Sequence, residues 1–368
     1  MDVRPVLGRS EIRRFVDYMY ERNARDPHWV PPLRLSEHDR INPKKNPFFA
    51  HADVELLLAW RGDRVVGRIA AIDDRLHQET HGDNVAMFGF FEAEDAGVAR
   101  ALLAAVETWA TARGRVRVRG PISPSLNEMC GLLVEGFGTD PMLLMPHNPP
   151  EYGAQIESAG YAKVKDLFAW IQDLRRPVPP AFARAARRLR DKHGITIRPL
   201  NLGEFTREVE RLRAIYCAAW ERNWGFVAPT AAEFRRIAAE LKPIFDPRCT
   251  VCAEVDGEMV ACLVAVPDIN QALKGTNGRL FPLGLLRLLL RTRYISQVRL
   301  LLLGIDERHR RLGLFPLLLA EWHRQMQTTP YVRAEFSWVL EDNRDINQPA
   351  ESAGAVRYKT YRIYEKTL

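Results

Sequence analysis

Val54-Glu-Leu-Leu-Leu-Ala-Trp60, the turn Arg61-Gly-Asp-Arg64 and Val65-Val-Gly-Arg-Ile-Ala-Ala-Ile72 read as two β-strands around a glycine turn. The same unit returns at Thr250-Val-Cys-Ala-Glu-Val255, Asp256-Gly257 and Glu258-Met-Val-Ala-Cys-Leu-Val-Ala-Val266, and each hairpin ends in an acid, Asp74 or Asp268. A second landmark keeps the same spacing. Asn148 is followed by a helix-length interval, Gly160 and a basic strand with Lys163 and Lys165; Asn343 is followed in the same way by Gly354, Arg357 and Lys359. Gly160 to Gly354 and Lys165 to Lys359 share an offset of 194 residues, so two unrelated landmarks report one tandem duplication.

Working outward, each half places a helical pattern before its hairpin, at 10–23 and 203–223, where Leu212, Ile215, Tyr216 and Ala219 keep helical spacing. After the hairpin comes a strand and a helix, at 85–91 and 96–112, then at 298–305 and 312–327. The order α, β-β, β-α, β, α, β predicts an α/β class (α+β mixed sheet) with helices on the sheet faces. The expected organisation is a first domain over 1–174, a basic linker and helix over 175–194 with Pro177, Pro179 and Pro180, and a second domain over 195–368.

Composition sets the outer limits. The chain has 368 residues, 46% hydrophobic and 27% charged, with a formal net charge of +7. That composition suits a globular protein of about two domains. The charge is uneven: residues 175–198 hold eight Arg or Lys against one Asp, and 271–305 hold Lys274, Arg279, Arg287, Arg291, Arg293 and Arg299 with no acid. Everything else is net acidic. The N-terminus lacks an apolar run with a small-residue cleavage site, so the expected compartment is the cytoplasm. Cys249 and Cys252 have a C-x-x-C spacing without a second pair, and read as buried thiols of a strand rather than a metal site. Nucleic acid is disfavoured as a partner, because the basic stretches are interleaved with Leu rather than with aromatics that stack on bases.

In the second half, the strand Arg299-Leu-Leu-Leu-Leu-Gly-Ile305 runs into Asp306-Glu-Arg-His-Arg-Arg-Leu-Gly-Leu-Phe315 and then a helix. A basic turn with a Gly where a strand gives way to a helix N-terminus suits a pyrophosphate, because unpaired N–H groups and the helix dipole both point at the anion. A solvated basic loop that merely starts a helix is the alternative. Ile305, His309, Arg310, Gly313 and Phe315 resemble the donor-binding signature of the GNAT acyltransferase superfamily, and Asn343 with Gly354-Ala355 resembles its downstream Asn and Gly-Phe. Phe315 replaces a small residue of that signature, Ala355 an aromatic, and Ala350 stands where a thiolate-protonating Tyr is common. The first half has the acidic Glu92-Ala-Glu-Asp95 at the equivalent turn, which marks it as a degenerate copy. Trp29-Val-Pro-Pro-Leu33, Asn148-Pro-Pro-Glu-Tyr152, Phe168-Ala-Trp170, Trp224-Gly-Phe226 and Pro267-Asp-Ile-Asn-Gln271 resemble the YghO-like group of bacterial GNAT-type proteins. That group includes ceramide synthases, which acylate the amine of a sphingoid base.

The resemblance implies two tandem GNAT-like domains and an N-acyltransferase. It implies no permanently bound cofactor, an acyl-CoA or acyl carrier protein thioester as co-substrate, and an amine acceptor, here a lipid. Donor contacts fall on Leu303, Gly304, Ile305, Arg310, Arg311, Leu312, Gly313, Leu314, Phe315 and Asn343. The strands 298–305 and 331–340 are expected to splay around the pantetheine arm. Removing a proton from the amine needs a carboxylate or His, for which Glu335 and Glu341 are the first candidates, with Asp268, His51 and Glu55 behind them; Tyr358 or Tyr361 could protonate the thiolate. The run Leu280-Phe-Pro-Leu-Gly-Leu-Leu-Arg-Leu-Leu-Leu290 reads either as a buried core helix or as an interfacial or acyl-lining one. With the basic linker helix, the second reading predicts peripheral association with an anionic inner membrane face. A small soluble amine as acceptor, or a non-catalytic thioester-binding protein, are the other readings.

Overall fold

The computed structural model describes residues 1–190 and 194–368; residues 191–193, inside the basic segment 175–194, lie outside the described residues. Along the first half run β1 (Asp2–Pro5), α1 (Gly8–Arg22), α2 (Arg34–Arg40), β2 (Ala52–Arg61), β3 (Arg64–Asp74), α3 (Arg75–His81), β4 (Val85–Ala93), α4 (Ala96–Thr111) and β5 (Arg117–Gly120). Then come β6 (Ile122–Ser123), β7 (Met129–Cys130), β8 (Leu132–Glu135), α5 (Tyr152–Glu157) and β9 (Ala162–Asp173). The second half follows with α6 (Pro180–Arg190), β10 (Thr196–Arg198), α7 (Phe205–Trp220), α8 (Ala231–Leu241), β11 (Thr250–Val255), β12 (Glu258–Pro267) and α9 (Asn270–Leu273). It ends with α10 (Gly284–Thr292), β13 (Gln297–Ile305), α11 (Leu314–Met326), β14 (Arg333–Leu340), α12 (Arg344–Ser352) and β15 (Val356–Thr367). The repeated order and the mixed sheet are those expected from the duplication.

These elements form two compact units: Met1–Leu167 with Leu273–Leu290 and Lys359–Leu368, and Phe168–Ala272 with Arg291–Tyr358. The long strands β9 and β15 therefore each begin in one unit and end in the other. In the first unit the sheet order is β1-β2-β3-β4-β5-β15. The end of β15 pairs antiparallel with β5, Tyr364 opposite Gly120 and Thr367 opposite Arg117. Strand β4 meets β5 in parallel only from Val85↔Arg117 to Met87↔Arg119. Helix α4 buries Val98, Leu102, Leu103 and Val106 against Ile69, Ala71 and Phe88; each fully buried side chain of this kind contributes about 1.5–3 kcal/mol. On the other face lies α1, whose Tyr18 hydroxyl donates to the Val66 carbonyl at 2.6 Å.

In the second unit the order is β9-β14-β13-β12-β11-β10. Val251 and Ala253 of β11 pack with Leu314, Leu317, Leu318 and Trp322 of α11, while Cys252, between them, packs with Leu212 and Ile215 of α7. Cys249 belongs to the α11-side core, so the two thiols of the C-x-x-C spacing sit on opposite faces of the sheet. Both are buried, as expected, and burial pushes the Cys252 thiol up to about 12. The basic helix α6 lays Ala186 and Leu189 into the α11-side core. Its apolar stripe is thereby covered by protein and is not available to a membrane.

The backbone of the first unit closes tightly beyond Met87↔Arg119. A Cβ added to Gly89 would stand 1.8 Å from the Ile122 carbonyl oxygen, and one on Gly120 would stand 2.3 Å from the Phe88 carbonyl oxygen. Gly89→Ala should therefore lower unfolding free energy by about 3 kcal/mol, the upper end for overpacking because the obstacle is backbone. Urea denaturation measures it, and an unchanged midpoint would contradict this packing.

Candidate active site

The second unit repeats the parallel pair in longer form. Strands β13 and β14 are laddered from Gln297↔Arg333 to Leu300↔Phe336 and no further. Beyond that point, among the described residues, no strand pairs with 301–305 on the β14 side. A register shift against β12 contributes to the opening: Ala265 faces Leu300 but Val264 faces Leu302, which leaves Leu301 as an extra residue. Leu300 accordingly enters the α11-side core and Leu302, two residues on, the α7-side core. Leu303 and Ile305 pack partly against the α11 side. Gly304 is a close-approach glycine, because a Cβ there would stand 2.5 Å from Ile215 Cγ2 of α7.

At the end of β13, Asp306 accepts from the Arg308 N–H at 2.9 Å and takes the Arg308 guanidinium at 2.9 and 3.2 Å. This pairing holds its carboxyl below the usual range. Arg308 is thus neutralised locally. Arg310 donates to the Ala218 carbonyl at 3.0 Å, and Arg311 is exposed without a carboxylate partner among the described residues. Gly313 adopts φ +76°, the left-handed conformation that favours glycine, with open space in front of it. It begins α11 with no side-chain cap. Pro316 costs nothing so early in the helix, since its missing N–H is one of the orphans. The N–H groups of Gly313, Leu314 and Phe315 are left for an external acceptor. Leu314 and Leu312 face the core rather than the loop surface, and the Phe315 ring meets Phe182 of α6 edge-on at 6.2 Å between centroids.

The equivalent turn of the first unit is built differently. Asp95 caps α4 with its own carboxylate, accepting from the Val98 N–H at 2.9 Å, so the anion position is filled from within. Asp95 and Glu94 are themselves paired with Arg61 and Arg64. Glu92, expected in the acidic turn, is instead inside the protein on β4. It accepts from Tyr152 at 2.7 Å and Asn23 at 3.2 Å, lies 3.8 Å from Arg68, and burial raises its pKa. The splay of β4 from β5 is also occupied, since Ser123 Oγ accepts the Phe90 N–H at 2.8 Å.

At the apex of the open pair in the second unit sits a polar network. Glu335 is fully buried directly opposite Arg299, 3.6 Å from its Nε. Its two carboxylate oxygens accept from Ser337 Oγ and from the Tyr358 hydroxyl. Arg299 also donates to Ser337 Oγ at 2.8 Å and to the Ser337 carbonyl at 3.2 Å. The structure therefore joins Glu335 and Tyr358 and adds Arg299 and Ser337, which sequence reasoning missed. An Arg inside an otherwise apolar strand was the available signal, because a buried guanidinium demands a buried carboxylate. Glu341 stands apart, just past the end of β14, its carbonyl accepting from Asn347 at 3.4 Å. Asn343 sits at the N-cap of α12 without a side-chain cap bond, and Ala350 joins the Trp170 and Val339 cluster. Of the remaining candidates, Asp268 is buried beside α9, Tyr361 is core, His51 pairs with Asp74 at 2.9 Å, and Glu55 lies half-buried on β2.

Two units, each with a parallel strand pair that parts before a helix N-terminus, define a tandem GNAT-fold protein of the N-acyltransferase class. A tandem GNAT protein from the clavulanic acid biosynthesis pathway has the same fold, with a TM-score of 0.58 and 15% identity over 100% of this chain and 98% of its own. No family model matches the chain. The bacterial ceramide synthase of Caulobacter vibrioides is 40% identical over 100% of this chain and 98% of its own length. The protein YghO of Escherichia coli is 36% identical over 100% and 95%. The chain belongs to the family of these two proteins.

Gly313→Val, or Arg310→Glu with Arg311→Glu, should weaken binding of coenzyme A at least about tenfold by titration calorimetry, whereas Asp95→Asn should leave it unchanged. Equal affinity in all variants would remove the loop from the donor site. Glu92 makes a separate, pH-dependent prediction. Its folded pKa is raised by burial above the unfolded value, so the folded state holds the proton more tightly. The associated stability is complete below the unfolded pKa and is lost as pH rises through the folded one. The stability of Glu92→Gln relative to the parent should consequently rise with pH across that window, read from denaturation midpoints at a series of pH values. A flat difference would contradict the burial argument.

Proposed function

We propose that this chain transfers a long-chain acyl group from a pantetheine thioester to the primary amine of a sphingoid base, giving a (dihydro)ceramide. The observation that carries the reading is the coincidence of an open strand pair, an uncapped helix N-terminus beside Arg310 and Arg311, and a buried Glu-Tyr-Arg network at the apex of the opening, all in one unit. The full-length similarity to a bacterial ceramide synthase supports the acceptor. The phosphate at the end of the donor's pantetheine rests on the N–H groups of Gly313 to Phe315, with Asn343 and Leu303 to Ile305 along the arm. Coenzyme A and an acyl carrier protein both offer a pantetheine phosphate, and either fits this reading. Membrane association belongs to the same reading, because both reactants carry long apolar chains.

In this mechanism the ammonium of the acceptor gives one proton to Glu335, directly or through Ser337, and the free amine attacks the thioester carbonyl. A β13 N–H beyond the last rung stabilises the oxyanion. Collapse breaks the C–S bond, Tyr358 protonates the departing thiolate, and the nitrogen releases its second proton to restore the tyrosine through Glu335. Arg299 is a positioning residue that stands 3.6 Å from the buried Glu335 and holds Ser337 beside it. Glu341, at the open end of the strands, serves the approach of the amine.

Glu335→Gln should lower kcat by about 100-fold or more while leaving coenzyme A affinity within a few-fold, and Tyr358→Phe should lower it by about tenfold. Thiol release from long-chain acyl-CoA with sphinganine, and mass detection of the amide, report both. Wild-type thiol release with small soluble amines but not with sphinganine would replace the lipid acceptor. Full activity of Glu335→Gln would remove that residue from the chemistry.

A further inference from the structure

Among the described residues, half of the exposed large apolar side chains lie in the single stretch 281–294. Helix α10 within it contains no buried residue, so the core-helix reading of this leucine run is overturned. Such a concentration of exposed apolar surface on a folded protein marks an interaction site.

The stretch grows from a firm root on the first unit. Lys274 pairs with Asp140 at 2.5 Å, and the Gly278 carbonyl accepts the Arg34 N–H at 3.0 Å. From 281 to 294 only Gly284 and Leu288 are half-buried, and the others are exposed. Helical spacing puts Leu285, Leu286, Leu289 and Leu290 on one arc, turned away from the face of Gly284 and Leu288. A surface helix that belonged to the core would show the reverse. Leu289 is 61% exposed, and Phe281 and Tyr294 at either end are 79% and 70% exposed. Arg287 and Arg291, both exposed, follow the arc on its Leu290 side, Arg279 and Arg293 bracket the helix along the chain, and no acid occurs between 271 and 305. Arg293 lies over the Tyr294 ring at 4.9 Å, an aromatic-cation pair suited to the headgroup level. With nine residues the helix is too short to span a bilayer and long enough to lie in its surface.

We infer that 281–294 is a monotopic membrane element. Its leucine arc enters the acyl boundary of an anionic leaflet and its arginines sit on lipid phosphates. It serves the lipid-acceptor reading above by placing the enzyme where a long-chain amine is dissolved, but the surface itself is argued independently of that reading. The uninterrupted positive charge selects an anionic bilayer over a second copy of the same chain, which would set arginine against arginine.

The test uses the full chain in co-sedimentation with vesicles of phosphatidylcholine alone or mixed with phosphatidylglycerol, together with light scattering of the free protein. Wild type should bind the anionic vesicles. Leu286→Asp with Leu289→Asp should weaken that binding by about a hundredfold, at about tenfold for each leucine withdrawn from lipid. Arg287→Glu with Arg293→Glu should cost about thirtyfold or more and abolish the preference for phosphatidylglycerol. Unchanged coenzyme A affinity shows that each variant is folded. The leucine variant should also lose turnover of a long-chain amine embedded in vesicles and keep turnover of a short-chain amine in solution. Absence of vesicle binding by wild type, or equal binding by the leucine variant, overturns the inference. So does a wild-type dimer that the leucine variant dissociates without any vesicle binding. Vesicle binding without amide formation from any amine would instead defeat the proposed reaction and leave the membrane element standing.

Discussion

A parallel β-ladder that stops after Leu300↔Phe336 is the constraint on which the rest of the second unit depends. Two strands that part inside a folded protein expose backbone polar groups that must be satisfied by something other than each other. The first unit meets the same demand with its own chain, bringing Ile122 and Ser123 into the gap and giving the Phe90 N–H to Ser123. Among the described residues, the second unit leaves the corresponding rungs of β13 without a strand partner on the β14 side. An extended, hydrogen-bonding ligand arm is what such a slot fits, and the uncapped N-terminus of α11 at its end fits an anion.

The duplication therefore preserved a frame and divided its uses. Both units keep the register shift in the strand before the parallel pair, at Arg68/Ala70 on β3 and at Val264/Ala265 on β12. They differ in the residue that opens the following helix. Asp95 brings a carboxylate to its own helix N-terminus, whereas Gly313 brings no side chain at all. One of these positions is self-neutralised, with Asp95 in extended backbone, and the other is receptive, with Gly313 left-handed after the turn over 307–312. The basic segments divide similarly. Helix α6 spends its apolar stripe on α11, while α10 turns its leucines outward.

Much of this was legible in the linear chain. Periodicity and the shared offset gave the two halves, the strand-to-helix order and the turn at Asp306 to Phe315, because local hydrogen bonding and alternation are encoded over a few residues. Glu335 and Tyr358 were recognisable as candidates, but not as partners. They are separated by a strand turn, a helix and a glycine, and only the return of β15 beside the sheet brings the hydroxyl to the carboxylate. Arg299 was counted in the basic stretch 271–305 and as the start of a strand, and proved to be the buried counter-charge beside Glu335. Glu92 was assigned to a repelling turn and is an interior carboxylate held by Tyr152, Asn23 and Arg68.

By itself, then, the sequence determined the class of fold, the doubling and the contrast between an acidic turn in one half and a basic, glycine-bearing turn in the other, since these follow from local pattern and from where Gly and Arg stand. Tertiary structure alone decided which gap is plugged, which carboxylate is buried beside which hydroxyl, and which basic helix is covered. Those outcomes turn on contacts between residues far apart in the chain, where a hydrophobic stripe has no preference of its own between a protein surface and a lipid one. Both α6 and α10 are basic amphipathic helices, but α6 lays Ala186 and Leu189 against α11 while α10 turns its leucines outward.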